Sequence, residues 1–199
     1  NEVINAAVTD DAVWAKAYDD YGLVLQSEEV TTGNYIIDGY VNPNDYAMGN
    51  TLTSNKIPGI SVIEDGGWIT TTNTAIIWRI IVNGSNYAFY NAAINKYLNT
   101  VSGNTNLVLQ NDPAWFTLTR TDDGKGNSLC DFVANSRHLE YYNGNFDPES
   151  YKYGSIYIYK QDVSNYFVTP PAQITVTWHI GNGTQTATSY DGTAFSDVE

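Results

Sequence analysis

The chain has 199 residues, 42% of them hydrophobic and only 16% charged, with 22 acidic against 9 basic residues and a net charge of −13. That is enough apolar chain for one sizeable core, but so acidic a chain repels phosphate backbones and anionic lipid, so no nucleic-acid partner is expected. One Cys and two His leave no Cys/His metal cluster, no cofactor is expected, and no apolar run approaches the ~20 residues of a membrane-inserted helix.

Residues 1–32 read as an N-terminal extension. Thr9 followed by Asp10 and Asp11 is a helix start, and Trp14, Ala17 and Tyr21 then recur at helical spacing until Gly22. A short helix over 10–21 is the expectation. No leader pattern is visible. From Gly33 the texture changes to short runs of Ile, Val, Tyr, Phe and Trp separated by Gly, Asn, Asp or Pro. Strands are expected near 34–39, 45–49, 60–64, 67–70, 76–82, 86–90, 96–99, 106–109, 114–119, 129–133, 138–142 and 154–160. VNGSNY at 82–87 and TDDGKGNS at 121–128 have the composition of hairpin turns. Residues 161–171 read as a linker stiffened by Pro170 and Pro171. Within 172–199, QITVTWHI and TQTATSY alternate on either side of a glycine turn, the pattern of a β-hairpin or of the opening of a further β-module.

Three segments align: GNYIIDGYVNPNDYAMGN (33–50), IIWRIIVNGSNYAFYN (76–91) and AWFTLTRTDDGKGNSLCDFVAN (114–135). Each has an aromatic near its start (Tyr35, Trp78, Trp115), a polar turn, and a closing Asn (Asn50, Asn91, Asn135), with the Asn residues 41 and 44 apart. GISVIE, KYLNT and RHLEYYN supply third strands, and GWIT, NLVLQ and SIYIYK supply fourth strands. A period of about forty residues with four strands each suits a closed barrel capped by three hairpins, because closure removes exposed sheet edges. The expected fold is therefore all-β, a β-trefoil over 33–160, with Trp78 and Trp115 as equivalent core residues. The regularity of 75–100 argues for architecture rather than activity.

The phrases NYIIDGY, YAMGN, YAFYNAAINKYLNT and SRHLEYYNGNFDPESYKYGSIYIYK resemble β-trefoils of the ricin-B-like kind and modules of secreted surface proteins of Bacteroidetes-type bacteria. The resemblance implies an extracellular or cell-surface setting and a sugar-binding role. The Gln-x-Trp signature of sugar-binding ricin-type repeats is absent, so none of that family's site residues carries over.

Candidate chemistry is sparse. Cys130 and His138 lie on successive expected strands, but a core thiol and a solvent-facing His account for them. Asp38, Glu64 and Asp131 lie in or beside strands and read as satisfied or solvated acids rather than a glycosidase pair. Asp122, Asp123 and Asn127 resemble a calcium turn only loosely, and they are ordinary hairpin residues, so no metal site is expected. A sugar site needs an aromatic platform with amides or carboxylates beside it. The best local match is YYNGNFDPESYKYG, read as one long loop and its flanks offering Tyr141, Tyr142, Asn143, Asn145, Asp147, Tyr151 and Tyr153; Trp68 is a second candidate. The sequence thus points to a monomeric, non-catalytic module that binds a glycan or another surface protein. The alternative is a spacer without a small-molecule site, and an enzyme finds no support in the residues.

Overall fold

The structure, a computed structural model, describes residues 19–152, 154–162, 173–180 and 183–190. Seventeen strands follow one another: β1 (Asp19–Leu23), β2 (Gly33–Val41), β3 (Asn44–Met48), β4 (Ile57–Val62), β5 (Glu64–Asp65), β6 (Trp68–Thr71), β7 (Ile77–Asn83), β8 (Asn86–Asn91), β9 (Lys96–Thr100), β10 (Leu107–Gln110), β11 (Phe116–Asp122), β12 (Ser128–Ala134), β13 (Arg137–Tyr142), β14 (Asn145–Glu149), β15 (Ser155–Gln161), β16 (Gln173–Ile180) and β17 (Gly183–Tyr190). A 3-10 turn, Thr74–Ile76, precedes β7. Tyr18–Val163 forms one compact unit. The hairpin β16–β17, paired from Gln173↔Tyr190 to Ile180↔Gly183, belongs to another unit and is the hairpin its alternation implies.

Six strands of the larger unit close into a ring: β2 pairs β7, β7 pairs β8, β8 pairs β11, β11 pairs β12, β12 pairs β15, and β15 pairs β2. Three hairpins, β3–β4, β9–β10 and β13–β14, continue from β2, β8 and β12 and cap the barrel. This is the β-trefoil, and closure leaves the ring without an edge. The molecule therefore has three lobes: β15–β2–β3–β4, β7–β8–β9–β10 and β11–β12–β13–β14.

The registers give the equivalences among lobes. Ile80 faces Phe89, Leu118 faces Phe132 and Ile158 faces Ile37. Tyr35 faces Trp78, Tyr87 faces Phe116 and Cys130 faces Ile156. These twelve side chains line the barrel, with Leu118 and Tyr87 at its partly buried margin. Phe89 meets Phe116 and Phe132 edge-on, with ring centroids 5.1 and 4.8 Å apart, a favoured aromatic geometry. The Trp78 indole also donates to the Met48 carbonyl at 3.0 Å.

Five expectations change. Tyr35 and Trp78 are cross-strand partners rather than equivalents. Trp115 is 41% exposed, and the buried Phe116 takes the core position beside it. Strand alternation forces that choice, since Phe116, not Trp115, shares the inward face with Leu118. The first lobe takes its leading strand from the far end of the chain, β15, so the phase of the first repeat differs from the one read in sequence. GWIT is not a trefoil strand: β6 pairs with β1 and β5 outside the ring. Of the helix expected over 10–21, residues 10–18 lie outside the described residues and 19–21 are strand. Tyr21 is buried opposite Ile69 on β6 and Gln161 on β15.

Candidate functional site

The Tyr-rich segment after His138 is a cap hairpin, not a long loop. β13 and β14 pair from His138↔Glu149 to Tyr142↔Asn145 about a two-residue turn, Asn143 and Gly144, with Gly144 at φ +83°. Alternation sends its aromatics to opposite sides. Tyr141 is buried, stacked on Tyr46 at 5.3 Å and tilted against Phe146 at 4.8 Å. It lies so close to the first lobe that a Cβ at Gly39 would fall 2.2 Å from its Cγ, and one at Gly59 would fall 2.7 Å from its Cε2. Burial pushes the Tyr141 phenol up to about 12. Asp147 is also buried and ion-paired with Lys56. Tyr141 and Asp147 are therefore interior residues that dock this hairpin, and a ligand on the surface does not reach their side chains.

Tyr142 stands outward, 65% exposed, directly across from Asn145, whose Nδ2 donates to the Asn143 carbonyl at 3.1 Å. Asn143 is exposed, and Tyr151, in the connection to β15, is 68% exposed. Tyr153 lies outside the described residues. Trp68 belongs to β6, away from this hairpin. It is 46% exposed, with its ring against Gly22 of β1.

A second open surface is legible only from pairing. Arg79 faces Tyr90, Tyr90 faces Tyr97, and Tyr97 faces Gln110, so these four side chains form one row across β7, β8, β9 and β10. They occupy the outer face, because Trp78, Ile80 and Phe89 at the intervening positions point into the barrel. At about 4.8 Å per strand the row spans roughly 14 Å. The two tyrosine rings lie 5.0 Å apart. The Tyr90 hydroxyl donates to Asn95 Oδ1 at 2.9 Å, and Asn99 Nδ2 donates to Gln110 Oε1 at 3.2 Å. The half-exposed Trp115 precedes Phe116, which is opposite Tyr87 on β8. Among the described residues, the exposed Arg79 guanidinium has no hydrogen bond or ion pair.

The corresponding row of the first lobe is Tyr157–Asp38–Ala47–Ile60. It is covered: Ala47, Ile60 and Tyr157 pack with Tyr21 of β1 and Ile69 of β6. Asp38 is fully buried within it. Asp38 Oδ1 accepts from the Tyr46 amide at 2.8 Å, while Oδ2 has no hydrogen-bond partner. Burial, reinforced by the charge of Asp45, pushes its carboxyl up to about 8. The third-lobe row is Thr117–Val133–His138–Glu149.

The remaining polar constellations are self-contained. Cys130 points into the barrel, whereas His138 lies on the outer face with Nδ1 2.8 Å from Asp131 Oδ1, so the two do not form a dyad. Burial pushes the Cys130 thiol up to about 11, far from a reactive thiolate. In the 121–128 turn, Asp122 Oδ1 accepts from the Gly124 and Gly126 amides, and Asp123 Oδ1 accepts from those of Lys125 and Asn127. Burial alone would raise Asp123, but the donors of Asn127, Lys125 and Tyr157 hold it below its usual range. These carboxylates brace the turn. No group of three or more His, Cys, Asp or Glu converges as a metal site among the described residues.

No family model matches the chain, and no curated protein matches it. The chain is similar to several solved structures. One is SeviL bound to asialo-GM1 saccharide, 13% identical over 65% of this chain and 98% of that one, TM-score 0.47. Another is the Macrolepiota procera ricin B-like lectin in complex with lactose, 14% identical over 67% and 90%, TM-score 0.43. A third is the BEL β-trefoil in an apo crystal form, 9% identical over 70% and 99%, TM-score 0.48.

Proposed function

We propose that the protein is a non-catalytic carbohydrate-binding module that works outside the cell. One observation carries the proposal: the second lobe presents two half-buried tyrosines in ring contact, Tyr90 and Tyr97, on its outer face beside the amides of Gln110, Asn99 and Asn95. Aromatic faces receive the apolar face of a pyranose, and side-chain amides both donate to and accept from its hydroxyls. The tyrosines hold their places without a ligand, since the Tyr90 hydroxyl is tied to Asn95 and the Tyr97 ring rests on that of Tyr90, so little side-chain freedom is lost on binding. The hairpin tip of the third lobe, with Tyr142, Asn143, Asn145 and Tyr151, supplies a second contact surface of the same composition.

The test is a glycan array probed with the wild type, Tyr97→Ala and the double variant Tyr142→Ala, Tyr151→Ala. Sugar binding by the wild type and its loss in Tyr97→Ala is the expected result. Silence of the wild type toward every glycan would sink the reading. Loss only in the double variant would move the site to the third lobe.

A further inference from the structure

We propose that the outer row of the second lobe selects an acidic sugar, a pyranose bearing a carboxylate. The ring lies against the Tyr90–Tyr97 pair, the carboxylate pairs with Arg79, and the Gln110 end of the row takes hydroxyls. This rests on the sugar-binding reading above and specifies its ligand class.

The argument begins with where the positive charge stands. The chain carries only 9 basic residues against 22 acidic ones. Five of those cations are engaged in the structure, among them Lys96, which donates to Asn111 Oδ1, and Arg137, which donates to Ser150 Oγ. Arg120 donates to Ser128 Oγ at 2.6 Å and to the carbonyls of Glu28 and Leu25. Lys56 is paired with Asp147, and Lys160 Nζ donates to Thr31 Oγ1 at 2.8 Å. Arg79, like Lys125 and Lys152, is exposed and has no such side-chain partner among the described residues, but of these three it is the one that heads a row whose next two members are aromatic. A guanidinium presents a planar fork of donors that matches a carboxylate in bidentate geometry.

The equivalent positions in the other lobes supply a control from within the same molecule. Where the second lobe has Arg79, the first has Tyr157 and the third has Thr117. Where the second lobe has Gln110, the third has Glu149. The cation is therefore not demanded by the barrel geometry, which accepts three different residues at one position. The third-lobe row ends on an acid and would repel an anionic sugar. The overall charge of −13 disfavours polyanions at large, so discrimination depends on one local pairing rather than a basic patch. The chemistry fits two sources, a uronic acid within a polysaccharide and a terminal acidic sugar on a glycan.

Calorimetric titration with four probes tests this: trigalacturonate, its methyl ester, sialyllactose and lactose. The expected result is that at least one acidic probe binds ten-fold or more tighter than its neutral counterpart. The acid that does so identifies the source. Arg79→Gln is expected to erase that preference while leaving neutral-sugar affinity within about two-fold, and Arg79→Lys to restore only part of it. Because Arg79 is exposed, the substitution leaves the core intact. Added salt is expected to weaken acid binding selectively. Equal affinity for acidic and neutral members of both pairs overturns the acidic preference while the sugar-binding reading stands. A preference that survives in Arg79→Gln also overturns the proposal. Absence of binding to all four probes, repeated on the array, overturns both.

Discussion

The outer faces of the first and second lobes share a backbone and differ in what stands on it. In the first lobe the row Tyr157–Asp38–Ala47–Ile60 lies under β1 and β6 and belongs to a second hydrophobic cluster with Tyr21, Ile36, Ile69 and Tyr159. In the second lobe the same four positions hold Arg79, Tyr90, Tyr97 and Gln110, and among the described residues no strand is laid over them. Covered, the row adds to the core at the cost of burying a carboxyl group. Uncovered, it leaves Arg79 exposed and Tyr90, Tyr97 and Gln110 half-buried with one side toward solvent, where they contribute less to folding. A pseudo-threefold fold can thus spend one face on stability and leave another for recognition.

The largest contrast to probe is packing. Ile69→Ala removes a fully buried side chain from the cover of the first lobe and is expected to cost about 2–5 kcal/mol in chemical denaturation, as buried aliphatic truncations do. A cost near zero would mean that the cover does not pack as described.

Next comes the acid beneath that cover. The carboxyl of Asp38 titrates at about 8 in the fold against about 4 in an unfolded chain. Over that interval the folded state keeps a proton that the unfolded state has lost, so stability falls as pH rises from about 4 to about 8. Asp38→Asn is expected to flatten this slope and to stabilise the protein at pH 8 relative to the wild type. Thermal melts across that range check it, and an unchanged slope in Asp38→Asn would show that Asp38 is ionised in the fold.

The smallest stability effect belongs to the open face. Tyr97→Ala is expected to change stability by less than about 1 kcal/mol while weakening sugar binding at least ten-fold. A large loss of stability would make Tyr97 a packing residue and remove the contrast between the two lobes.

The architecture was more legible in the sequence than the site. Alternating Ile, Val and Tyr, spaced turns and a period near forty residues point to three four-strand units, and the barrel has them. The phase of the first unit was hidden because its leading strand, β15, lies more than a hundred residues downstream of β2. GWIT imitates a repeat strand while serving as a cover. β14 escaped notice because NFDPE, with Pro148 and two acids, does not read as a strand; it pairs with β13 on one side and briefly with β4 on the other. For the same reason the segment 141–153 read as a loop, and the burial of Tyr141 and Asp147 could not be seen. Arg79, Tyr90, Tyr97 and Gln110 are spread over 32 positions, and only long-range strand register aligns them. Inside a regular repeat, Tyr90 and Tyr97 look like architecture.

The most direct test of the central claim is a chemical-shift titration of the isotope-labelled protein with the acidic sugar that binds best. Shifts clustered at Arg79, Tyr90, Tyr97 and Gln110, with none at the buried Asp38 and Ala47, are the result the account predicts. Shifts confined to the third-lobe hairpin around Tyr142 and Asn145, or to the cover strands β1 and β6, would contradict it.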